Sequence, residues 1–241
     1  LHTLGTNLFS VLIDEVNFEF TEDGVEMKAM DPSHVALADF NLSADAFDEY
    51  DVENSLKLGV DLAEMDKIMS RAKKNDEFVM EFDENENRLR LEFKGASTRR
   101  FSLPILEIEE EELPEPDLDF TAEAEVTAGS ISEGLKDAAL VGDNVRFELS
   151  EDKFVMKIES DTGSAEMVLS PDDEGLEKLE VTEPSKAMYN IGYLEDMFKA
   201  ASSGDLVDVD HGVDLPIQIT FHIADGKGYL KFILAPRVET E

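Results

Sequence analysis

The clearest candidates for binding chemistry in this sequence are basic side chains at helical spacing. Lys67, Arg71 and Lys74 recur at intervals of four and three residues, and the residues on the other side of the predicted helix 62–74 are mostly apolar. Lys136 and Lys199 face outward on two further predicted helices. Cations aligned in this way can bind phosphates, although a solvated helix face has the same pattern.

No other arrangement of residues predicts catalysis or metal binding. The four histidines, His2, His34, His211 and His222, form no pair at helical spacing, and cysteine is absent. Asp83, Asn85 and Asn87 have the spacing that opens a calcium loop, but Arg88 stands where glycine is required. We therefore expect a protein with no active site, no metal and no cofactor.

An internal duplication organises the elements that position these cations. The segment VNFEFTED at 16–23 recurs as VRFELSED at 145–152, and a Met-Lys pair follows each copy. Each copy follows an amphipathic segment, 4–15 or 131–141, and predicts a strand, a Glu-Asp turn and a second strand. The helix predicted at 62–74 is echoed at 194–199. A repeat of this length indicates two homologous domains.

The stretch 107–119 separates the two copies. Four consecutive glutamates and two prolines favour an extended, exposed linker, so the predicted domains are 1–106 and 120–241. Each half contains two helices and many short strands, with hairpin turns predicted at 83–87 and 225–226. The expected fold class is α+β, with two similar domains of antiparallel sheets and helices on one face.

The charge of the chain is unusual. It has 21 basic and 57 acidic residues, a net charge of −36, which normally argues against nucleic-acid binding. Solubility in a salt-rich cytoplasm is an alternative cause of the same excess.

With 42% hydrophobic residues the chain has ample material for a core. Its apolar runs are too short to span a membrane, so we expect a cytoplasmic protein.

Several motifs resemble the proliferating cell nuclear antigen family of DNA sliding clamps, in an unusually acidic archaeal form. They are TEDGV at 21–25, MDPSHV at 30–35, DKFVMK at 152–157 and LAPR at 234–237, in the family's order and spacing. The resemblance covers residues 4–241 and implies a trimeric ring that encircles duplex DNA and tethers replication and repair enzymes. The family's first strand is not in this sequence.

The resemblance also implies partners and residue roles. Polymerase, flap nuclease, ligase and clamp loader would bind through short peptides, and an archaeal clamp would be cytoplasmic whereas a eukaryotic one would be nuclear. The cations that would face the DNA without sequence preference are Lys67, Arg71, Lys74, Lys136 and Lys199. The residues that would form the partner-peptide pocket are Met30, His34, Val35, Leu37, Ile108, Leu113, Pro216, Ile233, Ala235 and Pro236.

Ring closure in the family pairs edge strands of neighbouring subunits, which by position are 98–103 and 163–169 here. The residues expected at this interface are Arg99, Arg100, Leu103, Glu166 and Val168. Arg99 and Arg100 suit ion pairs across such a joint, and they equally suit a solvated strand edge.

Two other classes of protein compete with a clamp. An acidic mimic of DNA, or another protein-interaction module that does not encircle DNA, would need a duplex-like stripe of acids and would leave the basic helix face without a purpose. A metal-dependent hydrolase would need carboxylates that converge in a cleft. Of the three, only the clamp must form a trimer.

Overall fold

The computed structural model describes residues 12–109, 113, 117–161 and 163–238. The strands of the first half are β1 (Glu15–Thr21), β2 (Gly24–Met30), β3 (Ala36–Ser43), β4 (Leu56–Asp61), β5 (Glu77–Asp83), β6 (Arg88–Lys94) and β7 (Thr98–Pro104). Those of the second half are β8 (Ala122–Thr127), β9 (Asn144–Ser150), β10 (Lys153–Ser160), β11 (Gly163–Leu169), β12 (Leu176–Val181), β13 (Ser185–Asn190), β14 (Leu206–His211), β15 (Ile217–Ile223) and β16 (Gly228–Leu234). The α-helices are α1 (Leu62–Met69), α2 (Ala128–Ala139) and α3 (Ile191–Phe198).

The strands form three antiparallel sheets. Nine strands join in the order β12-β8-β14-β15-β16-β3-β2-β1-β4, four in the order β11-β10-β9-β13 and three in the order β5-β6-β7. The two halves meet where β16 pairs with β3, from Gly228 opposite Leu42 to Leu234 opposite Ala36. The nine-stranded sheet is therefore continuous across both halves. The predicted α+β class and the antiparallel sheets are confirmed.

The duplicated segments fold alike. β1 and β2 join through a turn closed by Thr21 opposite Gly24, and β9 and β10 through one closed by Ser150 opposite Lys153. The hairpins predicted at 83–87 and 225–226 connect β5 to β6 and β15 to β16. The helix predicted at 131–141 is α2, whereas most of the one predicted at 4–15 lies outside the described residues.

The core lies between the sheets and the helices. In several strands alternate residues are buried, as in β9, where Val145, Phe147 and Leu149 are at most 1% exposed. The rings of Phe147 and Tyr189 meet edge to face at 5.7 Å. α2 packs against α3 and against β8 to β11. We call the face of the nine-stranded sheet that points away from the core its outer face.

One predicted helix is shorter than expected. α1 ends at Met69 rather than near residue 74, and the chain turns as the Arg71 amide donates to the Ile68 carbonyl at 3.0 Å. The Arg99 guanidinium donates to the Arg71 carbonyl at 2.6 Å and also binds the Asp76 carboxylate. These contacts satisfy polar groups just beyond the helix and favour the turn over another helical turn.

Candidate functional site

Each of the three sheets has two edge strands, and β7 and β11 are edges of two different sheets. β7 is an edge of the three-stranded sheet, and β11 is an edge of the four-stranded sheet. Both positions agree with the strands that sequence analysis placed at edges. An edge strand offers free backbone groups that can pair with another chain. Two such edges on one chain can extend head to tail into a closed ring.

The residues on β7 differ in their availability for such a contact. Arg100 is exposed and paired with Glu92 of its own sheet, whereas the Arg99 side chain is 22% exposed and bound to Asp76. Arg99 also lies over the Phe93 ring, 5.2 Å from its centroid. Leu103 is 7% exposed and belongs to the core, so its side chain can contribute little to an edge contact.

β11 presents a mixed surface. Glu166 is exposed and lies opposite Lys157, and Val168 is 44% exposed opposite Val155. An exposed valine on an unpaired strand is suited to burial by a neighbouring chain. Glu166 and Val168 are thus more accessible than Arg99 and Leu103 on the other edge.

The helix lysines all have an acidic partner one turn earlier. Lys67 contacts Glu64 at 2.6 Å, Lys136 contacts Glu133 at 2.6 Å and Lys199 contacts Asp196 at 2.7 Å. The hydrogen bond to Glu64 raises the pKa of Lys67, and the one to Glu133 likewise raises the pKa of Lys136. Both of these lysines are therefore fully charged at neutral pH, but their charge is locally balanced.

Arg71 and Lys74 are not on the helix. Because α1 ends at Met69, they lie in the turns that lead to β5, and both are exposed. The expectation that Lys67, Arg71 and Lys74 share one helix face is therefore wrong, because the helix ends before Arg71.

An apolar row crosses the outer face of the nine-stranded sheet. Ile233 of β16 lies opposite Leu37 of β3, and Leu37 lies opposite Met30 of β2. Residues paired in this way point to the same face, and Ala36 and Ala38 on either side of Leu37 point into the core. Leu37 is nevertheless only 4% exposed, whereas Met30 and Ile233 are half-buried. We call Met30, Leu37 and Ile233 the apolar row.

The loop that follows Met30 is held by one carboxylate. Asp31 is 3% exposed and accepts hydrogen bonds from the amides of Val35 and Ala36 at 2.7 and 2.6 Å. The Tyr193 hydroxyl donates to the same carboxylate at 2.8 Å, which links the loop to α3 of the other half. Burial would raise the pKa of Asp31, but these hydrogen bonds together lower it.

Other residues expected in the pocket gather at this end of the sheet. His34 is exposed with a φ of 58°, and the Val35 carbonyl accepts from the Ala235 amide at 2.8 Å. Pro216 precedes β15 and Pro236 follows β16, and both are half-buried. A surface cavity of about 340 Å³ has Met30 and His34 in its lining. The structure thus brings most of the predicted pocket residues to one end of the sheet.

The start of the linker lies beside strands that do not contribute to the apolar row. The Ile108 carbonyl accepts from the Asn17 side chain at 3.2 Å, so Ile108 lies beside β1 and β4 rather than on the apolar row. A Cβ atom at Gly59 would lie 2.3 Å from the Leu106 carbonyl oxygen, so only glycine permits this approach. Leu113 is half-buried, and the residues on both sides of it lie outside the described part of the chain.

Comparison with known protein families shows to which family the chain belongs. Residues 6–112 match the N-terminal domain of proliferating cell nuclear antigen, and residues 115–237 match its C-terminal domain. Together the two matches span almost the whole chain.

The chain belongs to the proliferating cell nuclear antigen family.

Curated relatives and solved structures agree with this membership. The chain is 43% identical over 230 residues to DNA polymerase sliding clamp 1 of Thermococcus kodakarensis, covering 95% of this chain and 92% of the relative. It is 40% identical over the same coverage to the DNA polymerase sliding clamp of Pyrococcus horikoshii. A crystal structure of PCNA from Thermococcus kodakaraensis matches with a TM-score of 0.93 at 31% identity, covering 98% of this chain and 95% of that one.

A second solved structure is a complex of two different chains. The PCNA2-PCNA3 complex from Sulfolobus tokodaii matches with a TM-score of 0.90 at 27% identity, covering 99% of this chain and 96% of that one.

Within the described residues, no helix is long and apolar enough to cross a membrane, and no cluster of His, Asp or Glu could hold a metal ion.

Sequence analysis missed four residues that position these surfaces. Asp31 and Tyr193 hold the loop beside the apolar row, and Asn17 and Gly59 hold the start of the linker. Gly59 takes one of the positions between the apolar residues of LKLGVD at 56–61, and a glycine inside a strand is a signal for close backbone approach. The contact between Asp31 and Tyr193 joins residues 162 positions apart and leaves no local signal.

Proposed function

We propose that this chain is the subunit of a sliding clamp that closes around duplex DNA as a ring of three and tethers replication and repair enzymes. The observation that supports the proposal is an unpaired edge at β7 of the three-stranded sheet and another at β11 of the four-stranded sheet, in a chain of this family. Pairing β7 of one subunit with β11 of the next would cover both edges.

The DNA-facing surface would be formed by the helix side of the ring. Lys67, Lys136 and Lys199 lie at the C-terminal ends of α1, α2 and α3, and Arg71 and Lys74 lie in the turns after α1. Because each helix lysine is paired with an acid, contacts with phosphates would be weak and without sequence preference. A closed ring would hold DNA by enclosure, so weak contacts are compatible with long residence.

Partner enzymes would dock on the outer face of the sheet. The apolar row, the Asp31 loop and the tail after β16 form a small, rigid, partly apolar surface of the kind that dominates binding energy. Polymerase, flap nuclease, ligase and clamp loader would each present a short peptide with an aliphatic residue and aromatic rings. Ile108 and Leu113 would border this site from the linker.

The remaining parts of the proposal concern organisation and location. The domains would be residues 1–106 and 120–241, joined by the linker 107–119. The chain would act as a non-catalytic scaffold in the cytoplasm of an archaeal cell, or in the nucleus if its source is eukaryotic. Its acidity would suit high intracellular salt, where screening weakens repulsion between subunits.

A topological assay tests encirclement. After loading with a clamp loader and ATP, the protein should remain on closed circular DNA and leave linear DNA through its ends, and blocking both ends should restore retention. Equal loss from circular and open linear DNA would exclude a ring. Light scattering should give about three times the 26.9 kDa chain mass. That trimer fraction should fall between molar and about 0.05 M salt, because the Debye length grows several-fold.

A further inference from the structure

The outer face of the nine-stranded sheet has an uneven distribution of charge. Five directly opposed pairs of acids occur among the described strands, and three of them share β12, β8 and β14. The three pairs are Glu180 with Glu123, Glu123 with Asp210 and Glu125 with Asp208. We call Glu123, Glu125, Glu180, Asp208 and Asp210 the acidic face.

Directly opposed residues of opposite charge occur elsewhere on the same sheet. Glu19 lies opposite Lys57 at 3.5 Å, and Asp39 lies opposite Lys231 at 3.6 Å. Like charges directly opposite each other destabilise a sheet, whereas opposite charges stabilise it. The acidic face therefore holds three of the five directly opposed acidic pairs, whereas the other two, Glu15 with Asp61 and Glu19 with Glu26, lie near the Glu19–Lys57 ion pair.

The acidic face has few cations of its own. Lys178 contacts Glu123 at 3.4 Å and Glu180 at 3.2 Å, and His222 contacts Asp208 at 2.6 Å. Asp210 is half-buried and accepts a hydrogen bond from Gln218 at 2.6 Å. Burial raises the pKa of Asp210, and the charges of Glu123 and Asp208 raise it further, although the Gln218 hydrogen bond and the charge of Lys231 oppose the shift.

The acidic face continues directly from the apolar row. One line of paired residues runs Met30, Leu37, Ile233, Gln218, Asp210, Glu123 and Glu180 across seven strands. Neighbouring strands are about 4.8 Å apart, so Asp210 lies roughly 10 Å and Glu123 roughly 14 Å from Ile233. An extended peptide advances about 3.3 Å per residue and would cover that distance in about three to five residues.

We propose that the acidic face binds a lysine- or arginine-bearing stretch of the same partner peptides whose apolar anchor lies on the apolar row. The inference rests on the proposed function, because it takes peptide docking on the apolar row as given. Charge complementarity identifies the chemistry of the occupant. A cation placed between Glu123 and Asp210, or between Glu125 and Asp208, replaces repulsion by two charge-assisted contacts.

Peptides that differ only in flanking charge test the proposal. The probes are synthetic peptides with one aliphatic and two aromatic anchor residues, carrying Lys-Arg-Lys or Gln-Ser-Gln about four residues before or after the anchor. Calorimetry on the full chain at about 0.15 M and 2 M KCl should show one basic peptide binding about 3- to 10-fold tighter than its neutral counterpart at low salt, as expected for two partly exposed ion pairs. The advantage should disappear at about 2 M KCl.

Matched variants locate the effect on the sheet. Glu123→Gln with Asp210→Asn should remove the advantage of the basic peptide and leave the neutral peptide unchanged. Glu19→Gln with Glu26→Gln removes another directly opposed acidic pair of the same sheet, away from the acidic face, and should preserve the advantage. Equal effects of the two double variants would show that only net charge matters, and would overturn the proposal.

The outcomes separate the two proposals. If none of the peptides binds the unchanged protein, docking on the apolar row fails and the acidic face fails with it. If each basic peptide binds only as well as its neutral counterpart at about 0.15 M KCl, docking stands and the basic stretch is refuted. A rise in thermal stability of the Glu123→Gln, Asp210→Asn variant without any change in peptide affinity would likewise show that the acidic face is only repulsive.

Discussion

The apolar row and the helix lysines, which are Lys67, Lys136 and Lys199, differ in exposure and in charge. Leu37 is 4% exposed in a strand paired on both sides, so its position is fixed by the backbone of the sheet. The side chains of Lys67 and Lys136 are 68% and 64% exposed on flexible stems, and each is bound to an acid of its own helix. One surface is rigid and apolar, whereas the other is mobile and electrically balanced.

This difference indicates where binding energy can come from in a chain of net charge −36. Apolar contacts do not depend on the sign of the surrounding charge and are little affected by screening. Exposed ion pairs contribute about 0–1 kcal/mol and less at high salt. Peptide docking should therefore be tight and local, and DNA contact should be weak and spread over many groups.

The largest expected effect is at the apolar row. Leu37→Asp should weaken peptide binding by about 100-fold or more, because it replaces the central apolar group of the row with a charge that a bound apolar anchor would leave without a partner. Calorimetry with a peptide that carries one aliphatic and two aromatic anchors measures the change. Leu206→Asp is the matched control, since Leu206 is an exposed apolar residue on the same face of the sheet, away from the row.

The trimer should survive both substitutions. Peptide affinity that stays the same in a folded Leu37→Asp variant would move the docking site elsewhere. Equal losses for Leu37→Asp and Leu206→Asp would mean that added negative charge, and not the apolar row, causes the effect.

A smaller effect is expected at the helix lysines. Glu64→Gln, Glu133→Gln and Asp196→Asn together should release Lys67, Lys136 and Lys199 for phosphates and strengthen binding to duplex DNA. Each additional phosphate that a released lysine neutralises should steepen the log–log dependence of affinity on salt by about one unit. Titration of DNA binding between about 0.1 M and 1 M KCl measures this slope.

The converse change sharpens the same comparison. Replacing Lys67, Lys136 and Lys199 with alanine should weaken retention on DNA and stimulation of a polymerase on primed circular template, while peptide affinity stays the same. The control is the same change at Lys28, Lys153 and Lys157, which lie on strands. Equal losses in the two triple variants would mean that the helix lysines have no specific role in DNA binding and are simply solvated.

The smallest expected effect is a loss of folding stability at acidic pH. It arises from His211, a buried residue that belongs to neither the apolar row nor the helix lysines. His211 is fully buried with Nδ1 2.6 Å from the Ser185 hydroxyl, and burial lowers its pKa to about 4. The unfolded chain has the ordinary pKa of 6.5 and binds the proton first, so stability should fall between pH 6.5 and about 4. The loss should approach about 1.4 kcal/mol per pH unit.

Denaturant unfolding at several pH values measures this loss. Ser185→Ala with His211→Met removes both partners and should flatten the dependence between pH 6.5 and about 4, with little change near neutral pH. His222→Met is the control, because His222 is an exposed histidine bound to Asp208. The same slope in all three proteins would exclude His211 as the group responsible.

Local patterns were sufficient to predict much of the fold. The repeated VNFEFTED and VRFELSED segments became β1 and β9 with the same turn after each. The edge strands β7 and β11 were instead placed by the family resemblance. Alternation of apolar and polar residues has a fixed relation to strand faces, so it can be read without tertiary information. The pocket residues were predicted together, from the resemblance to the family's motifs.

The end of α1 could not be predicted in the same way. The apolar pattern continues through Ala72, but Arg99, 28 residues beyond Arg71, holds the turn that replaces the last part of the predicted helix. The same contact makes Arg99 a structural residue of its own domain and less available to an interface. Helical periodicity contains no information about a partner so distant in sequence.

The sequence by itself determined the duplication, the antiparallel α+β fold and the family, because each is written in local alternation and in ordered motifs. Only the tertiary structure decided which charges face which. It paired Lys67, Lys136 and Lys199 with acids of their own helices, and it aligned the apolar row with the acidic face across seven strands. The physical reason is register: residues far apart in the chain become neighbours only when strands pair.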